Sequence, residues 1–134
     1  MANNTDMQFT VNVPVVITAV MIEDIIVTAL EGGIGYWAYL GEGTPEPDEF
    51  GTPLSMRVTD ALLFIPDYKL AIHDSEDPEG DELGHLSLQG MLDAIPVFAK
   101  EFPHQFSDLI SGEGDVNTAD LFIQIAVLGE VIFG

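Results

Sequence analysis

Only three basic residues, Arg57, Lys69 and Lys100, stand against 23 aspartates and glutamates, and this imbalance constrains the fold of the chain more than any other feature. The formal net charge is −20 at pH 7. Charged residues are only 19% of the 134, so the imbalance comes from missing cations, not from an unusual number of charges. Some twenty carboxylates (23 acids less 3 bases) have no counter-charge within the chain. Their self-repulsion works against a compact state while keeping the molecule soluble. A large core, bound cations, high salt or a basic partner must offset it. The apolar fraction, 47%, is ample for a core of normal size. A single folded domain over residues 1–134 is therefore expected rather than disorder.

The same charge excludes functions. Direct binding to nucleic acid needs basic residues that displace counterions, and they are missing. Anionic membranes are disfavoured for the same reason. With no cysteine there is neither a disulfide framework nor a thiolate zinc site. The opening MANNTDMQFT lacks a basic signal-peptide region, so a cytoplasmic setting is expected. The most apolar stretch, Val13 to Leu30, carries Glu23 and Asp24 and matches an amphipathic helix, not a membrane span.

Along the chain, alternation in residues 8–13 predicts a half-buried strand. Thr18 is the expected cap of a helix over 19–31, with Ile22, Ile25, Ile26, Ala29 and Leu30 on one face. Gly32 and Gly33 should end it, the first in the left-handed conformation. Residues 34–40, IGYWAYL, read as a central strand in which Tyr36 and Trp37 point to opposite faces; one of them could anchor a partner. Residues 41–53 read as an exposed loop. Residues 54–58 alternate like a strand, and 61–65 and 68–72 read as a hairpin about Pro66-Asp67. Residues 74–82, with six acids in nine, should be a solvated loop, 74–84 with its flanks. Ser87 should cap a helix from Leu88, kinked or divided by Pro96. A helical turn is expected at 105–110 and a loop at 111–116. Asn117 should cap a helix over 118–128, with Asp120 imitating a capping box and Gly129 as the stop. Residues 131–133 should return as a strand. The fold class is α+β: an antiparallel β-sheet with about three helices packed on one face.

Three segments in order, Ala29 to Trp37 (ALEGGIGYW), Leu86 to Leu92 (LSLQGML) and Gln124 to Gly134 (QIAVLGEVIFG), resemble a family of small acidic bacteriophage and prophage proteins. The resemblance implies a phage context, and an anti-defence role of the anti-CRISPR or anti-restriction type is one use of such a protein. The acidic 41–49 loop and Pro96 depart from the family pattern.

The acidic loops are the candidate partner-binding sites: Glu42, Glu46, Asp48 and Glu49 in one, Asp74, Glu76, Asp77, Glu79, Asp81 and Glu82 in the other. Carboxylates at a density near that of DNA phosphates can occupy the basic groove of a DNA-binding protein. Glu23, Asp24 and Glu31 would add to this surface. The expected partner is a host nucleic-acid-binding protein, a defence nuclease complex or a regulator; a homodimer is left open. Other readings stay open: a solvated acidic surface without a partner, adaptation to a high-salt cytoplasm, or an accessory structural phage protein. The acids do not follow the calcium-loop pattern, His73, His85 and His104 lack helical metal spacing, and no nucleophile motif is present. Neither a metal, a cofactor nor an enzymatic activity is expected.

Overall fold

The computed structural model describes residues 4–134. After a 3-10 turn at Asn4–Asp6 and an exposed segment without regular secondary structure, helix α1 spans Ala19–Thr28 and widens into a π turn, Ala29–Gly33. Strand β1 (Ala38–Leu40) follows, then helix α2 (Leu54–Phe64), strands β2 (Leu70–Asp74) and β3 (Gly84–Leu86), and helices α3 (Leu88–Glu101), α4 (Pro103–Ser111) and α5 (Val116–Leu128). The sheet is antiparallel in the order β1-β2-β3. The class is α+β as expected, with five helices rather than three.

Local capping chemistry explains the helix starts. Thr18 Oγ1 accepts from the Met21 amide, and Ser87 Oγ from the Gly90 amide. Each satisfies a donor that the first helical turn leaves over, a contribution of about 1 kcal/mol. The last long helix begins earlier than Asn117 suggests. Asp115 is its cap, accepting from the Thr118 amide, because Asp115 and not Asn117 has the extended backbone a cap requires. Gly129 ends it in the left-handed conformation, as expected. Gly32 does not: its φ of 178° is extended, and the chain leaves α1 through the π turn. Pro96 lies within a continuous α3, on an exposed position where water can serve the carbonyl its ring leaves without a donor. The break falls instead at Phe102, forced from helical geometry by Pro103, which opens α4.

Four expected strands, 54–58, 61–65, 8–13 and 131–133, are absent among the described residues. Residues 54–64 form a helix, not a strand and half a hairpin. Its buried face is Ser55, Val58, Thr59 and Leu62, spaced i, i+3, i+4, i+7. Two of those four are polar, which hides the helical period behind apparent alternation. Their hydroxyls are satisfied: Thr59 donates to the Ser55 carbonyl and Ser55 to Glu31 Oε1. Residues 8–13 are exposed, have no regular secondary structure and pair with no strand among the described residues. Residues 131–133 are also not a strand. The Gln124 side chain holds them, accepting from the Ile132 and Phe133 amides and donating to the Phe133 carbonyl. One buried amide thus substitutes for a ladder partner. The central strand is shorter than 34–40: residues 35–37 form a turn and only 38–40 pair.

The inner sheet face, Leu70, Ile72 and Leu86, is fully buried against the helices. Phe98 and Phe122 meet edge to face at 5.4 Å between α3 and α5. Each such side chain contributes about 1.5–3 kcal/mol on burial. The outer face carries Tyr39 beside His73 and Ala71 beside His85, and leaves Tyr39 and His85 exposed.

Candidate protein-interaction surface

Nine of the ten candidate carboxylates are exposed; Asp74 is half-buried. Among the described residues the one carboxylate ion pair is Glu82 with His85, at 3.2 Å, and it forms only when His85 is protonated. None of these acids has a lysine or arginine within ion-pair reach. Arg57, beside the first loop, spends its guanidinium on backbone instead, donating to the carbonyls of Thr52 and Pro45.

The first loop is internally fastened. Tyr68 donates to the Gly43 carbonyl at 2.6 Å, and Thr44 to that of Gly41. Asp48 Oδ1 accepts from the amides of Phe50 and Thr52, an Asx arrangement that rounds the tip. Hydrogen bonds from Thr52, side chain and backbone, hold the Asp48 carboxyl below its usual range. Gly43 adopts a positive φ of 96° against the Lys69 carbonyl, where a side chain would collide. The second loop turns on Asp74, which accepts from the Glu76 amide, and on the Gly80 amide, which donates to the Asp77 carbonyl.

The two loops leave opposite ends of the sheet. The first meets β2 at its start, where the Ala71 amide donates to the Glu42 carbonyl; the second joins the end of β2 to β3. Four residue steps along β2 separate those ends by about 13 Å. His73 lies between them. Gly41 packs directly on its imidazole, and its Nδ1–H donates to the Gly80 carbonyl at 2.9 Å. The acidic clusters thus flank the outer sheet face rather than fusing into one patch. Of the helix-borne acids, Glu31 is engaged with Ser55, and Asp24 borders a cleft of about 250 Å³ between α1 and the start of α5. Among the described residues no three His, Asp or Glu side chains converge so as to hold a metal ion. Among them also, no helix is long and apolar enough to cross a membrane.

Sequence reasoning missed one polar cluster. Asp120 does not cap its helix; it is buried and faces the core. It accepts from Tyr36 Oη, from Trp37 Nε1 at 2.8 Å and from Gln124 Nε2 at 3.0 Å. Trp37 is buried while Tyr36 remains 55% exposed, so one of the pair does face solvent, though from a turn rather than a strand. Desolvation of the phenol, and next its bond to Asp120, push the Tyr36 pKa up to about 12. Spacing from Asn117 resembles a capping box, so no local signal distinguished this aspartate.

Comparison with family models, with curated proteins and with solved structures found no match to this chain.

Proposed function

We propose that this protein is a phage-encoded, stoichiometric inhibitor that binds a nucleic-acid-binding host protein, a defence nuclease complex or a regulator, through its acidic loops. One observation carries the reading: nine loop carboxylates stand exposed with no lysine or arginine paired to them. Duplex DNA presents about eight charges over 13 Å of axis, at one per ~1.7 Å. The two loops set ten carboxylates at the two ends of a strand of that length. A basic groove that accepts phosphates would gain similar electrostatic steering from them. The hydrogen bonds inside each loop reduce the ordering cost of such binding. The phage context rests on the three family-like segments, 29–37, 86–92 and 124–134.

The test is capture of a DNA-binding protein from bacterial lysate, followed by competition. Binding should fall steeply with salt, be displaced by duplex DNA, and weaken on Asp→Asn and Glu→Gln substitution across both loops. Recovery of no nucleic-acid-binding protein, or binding indifferent to those substitutions, would sink the idea. A second reading, an accessory component of the phage particle, is favoured by the exposed apolar segment before α1. It requires the protein in purified virions.

A further inference from the structure

Residues 7–18, which precede α1, are uncharged and almost all exposed. Residues 7–22 carry no charged side chain, the longest such run in a chain of net charge −20. Residues 7–16 are all exposed, and Phe9 is 80% exposed. Phe9, Val11, Val13 and Val15 recur at every second position, the spacing that brings side chains to one side when such a segment pairs as an extended strand. Eleven steps from Met7 to Thr18 reach about 36 Å at ~3.3 Å each. A domain of this length has a radius of gyration of only about 14 Å. The arm is long enough to leave its own domain.

One cleft on the surface suits such an arm. It measures about 350 Å³ and lies between the end of α2 and the start of α3. Its apolar lining includes Phe64, Ile65, Leu88 and Leu92 beside Leu62, Leu63 and Pro66, and of these Phe64, Ile65 and Leu92 are exposed large side chains. Its two charged residues, Asp67 and Lys69, cancel.

We propose that two copies of this chain exchange arms, the Phe9–Val15 segment of each entering the Phe64–Leu92 cleft of the other. Electrostatics selects this occupant. Two copies of charge −20 repel across any carboxylate-bearing surface, and they can approach closely only where both surfaces are neutral. The arm is uncharged and the cleft is neutral. A partner attracted by charge would engage the loops instead. Reciprocal exchange about a two-fold axis is closed, so it stops at a dimer. The two Phe9 rings alone would remove about 300–500 Å² from water. This inference does not depend on the inhibitory reading, because it leaves both acidic loops free.

Sedimentation velocity on the full chain, at low and high salt, tests it. The dimer should tighten as salt screens the repulsion, opposite to binding through the acidic loops. The neutral pairs Phe9→Asn with Val11→Asn, and Phe64→Asn with Leu92→Asn, should each weaken association about tenfold or more. Helical circular dichroism should be unchanged in both. Mixing the two variants should recover a heterodimer, since one intact arm then meets one intact cleft. A wild-type chain that stays monomeric overturns the proposal, including one whose arm is protease-protected in its own cleft. Arm variants that dimerise like wild type overturn it, as do cleft variants that do so.

Discussion

The indole of Trp37 and the ring of Phe133 stack face to face, with centroids 5.0 Å apart and planes 9° from parallel. The turn before β1 is thereby joined to the C-terminal segment, which Gln124 also grips through the amides of Ile132 and Phe133. Replacing Phe133 with alanine should cost about 2 kcal/mol, below the 3–5 of a fully buried phenylalanine because this ring is half-buried. Trp37 is the only tryptophan, so its emission reports the change directly. Urea unfolding should show a lower midpoint, and native fluorescence should shift to the red as water reaches the indole. An unshifted spectrum would mean the stack does not shield Trp37.

Asp120 collects three donors with no cation near it. Alanine at this position strands the Trp37 and Gln124 donors, and should destabilise by about 2–4 kcal/mol. Asparagine keeps one acceptor oxygen but turns an amide group towards those donors. Its loss should be of similar order, although the shape is conserved. If Asp120→Asn unfolds at the wild-type denaturant concentration, the charge on Asp120 is not what holds the cluster.

Tyr36 should make stability depend on alkaline pH. Its pKa is raised in the fold, from 10.0 to about 12, so the native state favours the neutral phenol. The contribution is fully present below pH 10, and is lost as pH rises through 12. Absorbance titration should find a tyrosine ionising near 12, a step that Tyr36→Phe removes. The variant should also lose the part of the stability decline that belongs to this window. A Tyr36→Phe profile matching wild type between pH 10 and 12 would exclude the linkage.

Net charge should appear in thermal stability. Added sodium chloride screens repulsion among carboxylates that have almost no paired cations to lose. The unfolding temperature should therefore rise with salt, and calorimetry at increasing ionic strength measures it. A flat or falling midpoint would show that the acids are spaced too widely to repel appreciably.

What the sequence determined by itself was whatever depends on near neighbours. Thr18 and Ser87 cap where they were expected to, since a cap needs only its own hydroxyl and an amide three residues on. Gly129 stops α5, and both acidic loops are loops, because glycine geometry and like-charge repulsion act locally. Only the tertiary structure decided the rest. Residues 54–64 became a helix because the core accepts Ser55 and Thr59 on a buried face once Glu31 and a backbone carbonyl satisfy them. Residues 8–13 alternate like a strand yet pair with no strand among the described residues, since strand pairing is set by distant chain. Asp120 turned inward because Tyr36 and Trp37, far away in sequence, bring donors to it. The sequence specified the net charge and its two densest acidic runs; the fold placed those runs at the two ends of one short strand.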